Sequence, residues 1–257
     1  MSTFHLCTIV NRPDQYEQML ASLESAGFNK LNTRFTVFDN SLENKFDPYA
    51  TINLALSQTQ ENYLIFCHQD LLFNQGHGYE RLVFLLEGLN SLESDWSIAG
   101  NAGVNERYKY VIRISDANQS YNWKGAFPQK VFTLDENLLV FNMKNRARCS
   151  QQLSGFHLYG SDSCLHAIGL GYSCYVIDFH VTHLSGGNMS EEFYRGLYQF
   201  YDHWRNHFQL CVHKTVTGRL KVLSRHAWLE RTVTFKPIRK IVLFFNRFVP
   251  LVTPYKR

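Results

Sequence analysis

Little in this chain would staple it covalently or anchor it in a bilayer. The six cysteines, at positions 7, 67, 149, 164, 174 and 211, form no CxxC pair and no close framework. Cys7 and Cys67 sit inside apolar runs, where a thiol acts as a small hydrophobe. A disulfide scaffold is excluded, and a reducing compartment fits. No stretch of 18 apolar residues occurs, which excludes a membrane-spanning helix of ordinary length. The opening Met1-Ser2-Thr3-Phe4-His5 has no basic segment followed by an apolar one, so the expected location is cytoplasmic. Proline is scarce, 6 in 257 residues, beside 15 glycines, 45% hydrophobic and 19% charged residues. That composition excludes a disordered or fibrous chain. There is no internal repeat and no low-complexity tract.

Acid is almost missing from one segment. Residues 214–257 carry eleven Lys or Arg against the single acid Glu230, a net of +10, so the remaining 213 residues hold −6 of the total +4. The C-terminal end is a separate electrostatic object. Within it, residues 236–249 place Ile238, Ile241, Val242, Phe245, Phe248 and Val249 on one helical face. Such an amphipathic segment suits either an anionic membrane surface, as a peripheral contact, or the protein's own core. No nucleic-acid motif accompanies the charge, so no nucleic-acid partner is expected.

What is present alternates. Residues 4–10 form a continuous apolar run ended by Asn11-Arg12-Pro13, as in a buried parallel strand. Residues 14–26 carry Tyr16, Met19, Leu20 and Leu23 at helical spacing and stop at Gly27. Strands at 35–38 and 63–67 and a helix at 49–57 complete β-α-β-α-β within 70 residues. A helix at 79–92 and a strand at 96–104 follow. Residues 105–128 read as loop or hairpin, residues 131–143 as extended, residues 161–168 as helix and residues 173–179 as strand. The pattern implies an α/β fold with a mostly parallel, Rossmann-like sheet flanked by helices, which binds ligands at the carboxyl ends of its strands. Asn11, Asp39-Asn40 and His68-Gln69-Asp70 then face one crevice. The expected division is 1–210 as the main domain, with halves 1–104 and 105–210, and 211–257 as a basic helical appendage.

Several side chains invite chemistry. A carboxylate at Asp70, just beyond an apolar strand, suits a divalent cation bridging a diphosphate; it equally suits a helix cap. His180 and His183, three apart past a later strand, are metal ligands or simple hydrogen-bonding histidines. Asp162 opens a helix and is either its cap or a general base aimed into the cleft. Gly186-Gly187 is a turn or a loop that closes on phosphates.

The ordered set of strand-ending Asn11, Asp39-Asn40, His68-Gln69-Asp70, the segment Leu134-Asp135-Glu136-Asn137-Leu138-Leu139-Val140-Phe141-Asn142, and Phe156-His157-Leu158-Tyr159-Gly160-Ser161-Asp162 before His183 resembles family 2 glycosyltransferases. More narrowly it resembles their bacterial streptomycin-biosynthesis-type branch, over residues 4–210. The resemblance implies a GT-A fold and an inverting transfer from a nucleotide-diphosphate sugar, UDP or dTDP foremost, to a glycan or lipid-linked acceptor. Bacterial surface polysaccharide or lipopolysaccharide synthesis at the cytoplasmic face of the inner membrane is the implied setting. It assigns Asn11, Asp39, Asn40, His68, Asp70 and Asp135 to the nucleotide sugar, Mg²⁺ or Mn²⁺ to Asp70 and His183, and the base to Asp162. Trp123 and Tyr159 are candidates for stacking on the acceptor. The chain departs from the family at His68, which replaces the first acid of the Asp-x-Asp metal motif, and at Ser161, which replaces the Glu before the base. The alternatives are a catalytically inactive sugar- or nucleotide-binding module and a metal-dependent hydrolase using His68, Asp70, Asp162 and His183.

Overall fold

A computed structural model describes residues 3–116, 121–185, 190–208, 211–216 and 220–226, with isolated positions 228, 232, 237, 238 and 241. The first half runs β1 (Phe4–Val10), α1 (Pro13–Ser25), β2 (Thr33–Asp39), α2 (Pro48–Gln58), β3 (Tyr63–Cys67), β4 (Leu71–Phe73), α3 (Tyr79–Leu92), β5 (Trp96–Gly100) and β6 (Ala102–Val104). There follow β7 (Tyr110–Ser115), β8 (Tyr121–Lys124), β9 (Gln129–Val131), β10 (Thr133–Leu134), β11 (Leu138–Asn142) and α4 (Tyr159–Gly169). The last described elements are β12 (Ser173–Val176), β13 (Val181–His183), α5 (Glu191–Arg205), β14 (Cys211–Lys214) and β15 (Leu220–Leu223).

The main sheet has the order β2-β1-β3-β11-β5-β12-β9. β1, β2, β3, β5 and β12 point one way; β11 runs against β3 and β5, and β9 against β12. This is the expected α/β architecture. Its strands read as unbroken apolar runs because both faces are covered. Phe4, Leu6, Ile65, Cys67, Leu138 and Val140 pack on the α1 and α3 side. Cys7, Leu64, Phe66, Leu139 and Phe141 pack on the α2, α4 and α5 side. On α3, Leu82, Leu86 and Leu89 are buried at i, i+4 and i+7, and each contributes about 1.5–3 kcal/mol by leaving water.

Two expected boundaries are not those of the fold. Residues 1–104 and 105–210 are not separate halves, since β11 lies between β3 and β5 in one sheet. Nor does the domain stop at 210: the β14–β15 hairpin follows α5, and Cys211 and Leu223 belong to the same apolar cluster as Phe200 and Trp204. The expected single strand over 96–104 is two, β5 and β6, serving different sheets. α5 was not anticipated, although Phe193, Leu197, Phe200, Tyr201 and Trp204 form a stripe at helical spacing and Ser190 caps it by accepting from the Phe193 amide. The amphipathic segment 236–249 and the Gly186-Gly187 pair lie outside the described residues, apart from isolated positions in the former. No helix among the described residues is long and apolar enough to cross a membrane.

The second sheet, β10-β6-β7-β13-β4 with β8 on β7, builds the site. β13 pairs antiparallel with β4 so that His183 lies opposite Leu71, and the Leu184 amide donates to the Asp70 carbonyl at 2.9 Å. That register brings a residue 113 positions away beside the end of β3.

Candidate functional site

A cleft of about 580 Å³ opens at the carboxyl ends of β1 and β3, lined by Ile9, Asn11, Arg12, Gln69, Asp70 and Tyr159 among others. This is the volume range of small-ligand sites. Its rim is held by Gln69, whose Oε1 accepts from the amides of Asn11 and Arg12 at 2.8 and 2.9 Å, while its Nε2 donates to the Asn11 carboxamide. Gln69 therefore clamps the end of β3 to the end of β1.

Three candidate ligand atoms converge beside the cleft, one each from His68, Asp70 and His183, all within 4.8 Å of one another; His68 and Asp70 line it. His183 Nε2 lies 3.2 Å from Asp70 Oδ1 and 3.3 Å from His68 Nδ1. His68 Nδ1 lies 4.0 Å from Asp70 Oδ1. The Tyr159 hydroxyl donates to the Glu136 carbonyl at 3.4 Å and stands 2.8 Å from His68 Nε2. A hydroxyl that donates there accepts the Nε2–H of His68, which leaves the Nδ1 lone pair toward Asp70 and His183. This tautomer is the one a metal needs. Tyr159 reaches the position because Leu158 takes a left-handed conformation, φ 69°, at the entry to α4. Gly160 then lets the helix approach β10, where a Cβ would stand 2.8 Å from the Leu134 carbonyl oxygen.

The electrostatics fit a cation. Burial and the neighbouring His183 pull the His68 pKa down to about 4, so its ring is neutral. Burial alone would raise the Asp70 pKa, but the hydrogen bond and charge of His183 hold its carboxyl below the usual range. For His183 burial works downward and is outweighed by Asp70, so its pKa is raised. One neutral imidazole, one imidazole whose proton Asp70 favours and one ionised carboxylate can hold a cation as an N,N,O set once His183 gives up that proton.

The other expected site residues divide. Asp39, exposed at the end of β2, has Oδ1 accepting from the Ser41 amide at 2.8 Å, and its pKa is lowered by the Ser41 side chain first and by this backbone bond second. Asp135, half-buried on the β10–β11 turn, accepts from the Asn137 amide and carboxamide, and its charge acts on both His68 and His183. Asn40 does not face the crevice as expected. It is buried and its carboxamide both donates to and accepts from the Phe46 backbone at 2.9 Å, fixing the loop before α2.

Asp162 is the main correction. It is fully buried, its oxygens accepting from the Ser150 amide at 2.7 Å, the Ser150 hydroxyl at 2.6 Å and Trp204 Nε1 at 2.8 Å. Burial raises its pKa. It ties α4 to α5 and to the preceding loop, with no open face for a substrate proton. Trp123 is also elsewhere: it lies 4.3 Å from the Arg113 guanidinium and lines a groove with Phe84 and Leu92 of α3. Tyr159 is not a stacking platform, because its ring is 2% exposed and is packed edge-on with Tyr49 and Phe66. His180 parts from His183, its ring nitrogens meeting Asn74 and Ser115. Not anticipated were the clamp that Gln69 forms on Asn11 and Arg12 and the place of His68 as a third candidate ligand beside Asp70 and His183. The His-x-Asp spacing on alternate residues at a strand end was the available signal.

A protein of Fuscovulum blasticum, "ATP synthase subunits region ORF 6", is 31% identical over 223 residues, 84% of this chain and 89% of that one. The chain belongs to its family. The relative's name describes an open reading frame and states no activity. No protein-family model matches the chain. Among solved structures it is similar to the mannosyltransferase PcManGT of Pyrobaculum calidifontis in complex with GDP-Man and Mn²⁺, with TM-score 0.54 and 9% identity. It is also similar to S. aureus TarS 1–349 in complex with UDP-GlcNAc, with TM-score 0.52 and 15% identity. The matches cover 78% and 80% of this chain and 63% and 65% of those, so it spans just under two thirds of either. At such identities the likeness establishes the GT-A type of fold.

Proposed function

We propose that this protein is a metal-assisted glycosyltransferase, moving a sugar from a nucleotide-diphosphate sugar to a hydroxyl of a glycan or lipid-linked acceptor. The observation that carries this reading is the convergence of His68, Asp70 and His183, the first two of which line the strand-end cleft. The neighbours' ligands, UDP-GlcNAc and GDP-Man with Mn²⁺, support it. His68, Asp70 and His183 would hold a divalent cation, which would supply positive charge against that of a departing diphosphate. Two imidazoles favour Mn²⁺ over the oxygen-seeking Mg²⁺.

The chain's own residues orient and move the rest. Asn11, clamped by Gln69, and the open oxygen of Asp39 meet the nucleoside, while His68 and Asp70 meet the diphosphate side. With Asp162 enclosed, Asp135, half-buried on the β10–β11 turn, is the carboxylate we place on the acceptor proton. A hydroxyl deprotonated there attacks the anomeric carbon opposite the leaving group, a single displacement with inversion. The ordered motifs favour the streptomycin-biosynthesis-type branch and surface-polysaccharide or lipopolysaccharide synthesis at the cytoplasmic membrane face, with residues 236–249 as the peripheral contact.

The test is a thermal-shift panel of UDP, dTDP, GDP, CMP and their sugar conjugates, with Mn²⁺ and with EDTA. One nucleotide should raise the midpoint only with Mn²⁺, Asp70→Asn should remove the effect, and Asp135→Asn should keep donor binding while losing transfer. If no nucleotide shifts the midpoint, the reading falls. The burial of Asp162 favours one second reading, a nucleotide-sugar-binding module, which donor binding without transfer to any acceptor would establish.

A further inference from the structure

On the α2 and α4 face of the sheet, a second cavity of about 700 Å³ lies between α2, residues 146–152 and the end of α4. Its lining includes Arg146, Arg148, Gln151, Gln152 and His166, and no carboxylate. Arg146 donates Nε–H to the Met143 carbonyl at 3.0 Å, leaving its terminal nitrogens open. Arg148 has no hydrogen bond or ion pair among the described residues. The segment bearing both is fixed by buried partners: Asn53 accepts from the Cys149 amide and donates to its carbonyl, each at 2.9 Å, and Asp162 accepts from the Ser150 amide. Asp162 has three donors of its own on its oxygens, so it does not neutralise the guanidinium groups by direct pairing.

We infer that this cavity is an anion site for a phosphate monoester, held by Arg146 and Arg148 and separate from the strand-end cleft. Guanidinium forks match the oxygens of a tetrahedral anion and bind it with charge-assisted hydrogen bonds. The neighbouring carboxamides of Gln151 and Gln152 add donors, and Leu56 and Leu170 line an apolar wall for an organic group. The volume exceeds what a bare oxyanion fills. A segment pinned at two consecutive residues presents the guanidinium groups with less ordering cost on binding. The inference does not rest on the transferase reading.

The test is calorimetric titration in EDTA with glucose 6-phosphate, inorganic phosphate and glucose, against the full chain, Arg146→Ala/Arg148→Ala and Asp70→Asn. Glucose 6-phosphate should bind the full chain and Asp70→Asn alike, glucose should not bind, and the double variant should weaken binding at least about tenfold. Inorganic phosphate binding as tightly as the ester assigns the site to the free anion; weaker binding assigns it to the ester. Absence of binding by both phosphates, indifference to the double substitution, or loss in Asp70→Asn overturns the inference. Both arginines are exposed, so an unchanged thermal midpoint is the expected control.

Discussion

Asp70 and Asp162 show how differently one residue type is used on the two sides of this sheet. Each has a histidine nearby and hydrogen-bond donors around it. Asp70 lies between β3 and β4 at the edge of a cleft, with His68 and His183 arranged so that one ligand atom of each lies within 4.8 Å of the others. Asp162 sits in the first turn of α4 with α5 folded over it, its oxygens occupied by Ser150 and Trp204. The first is a largely buried cluster at the edge of a cleft; the second is an internal tie. Proximity of acid and histidine is thus no guide to chemistry until the free face is located.

The largest effect should separate these roles. Asp162→Ala strands a buried amide, a hydroxyl and an indole N–H, and should lower unfolding free energy by about 4 kcal/mol. Asp70→Asn should cost less, about 1–2 kcal/mol, because the amide keeps a polar side chain at a position that lines the cleft, although Asp70 is only 6% exposed. Urea denaturation of both variants reads the difference, and equal losses would erase the distinction.

Acid sensitivity should come from histidines buried in the interior and from His68 in the cleft, whose pKa is likewise held at about 4. His5 is held down to about 4 by burial and by Arg34, and His213 to about 3 by burial among Phe132, Phe200 and Tyr201; both are fully buried. Their folded pKa values lie below the unfolded 6.5, so the unfolded chain takes up protons first as pH falls. The stability is whole above about pH 6.5 and is lost toward pH 4, at about 1.4 kcal/mol per pH unit for each proton. Unfolding curves between pH 7.5 and 5 should show this limb. His213→Leu should shrink it, whereas Asp70→Asn should steepen it, because Asp70 raises the pKa of both His68 and His183.

The smallest effect sharpens the cleft side alone. Tyr159→Phe removes the acceptor for His68 Nε2–H, so the ring no longer holds Nδ1 free. Mn²⁺ affinity, read by titration, should fall about 10–100-fold with little change in folding.

Much of the fold was legible from pattern. β1, β3 and α3 appear at their expected bounds because continuous apolar runs and i, i+4 leucines leave few alternatives. Short strands such as β4 and β13 were not, since three residues carry no period and exist only through their partners. The same holds for the site. The apolar-then-polar strand ends marked Asn11, Asp39, His68 and Asp70 as facing a crevice, and the structure brings His68, Asp70 and His183 together there. Asn40 and Asp162 read identically as polar residues beside an element end, yet the loop at Phe46 and the helix α5 enclose them.

By itself the sequence determined the alternation of strands and helices, the two-faced burial of the central strands and the polarity of their ends, because these follow from local spacing of apolar side chains. Tertiary structure alone decided which polar groups remain open. That depends on long-range register, β13 against β4 and α5 over α4, and a residue's own neighbours in the chain do not encode what will cover it.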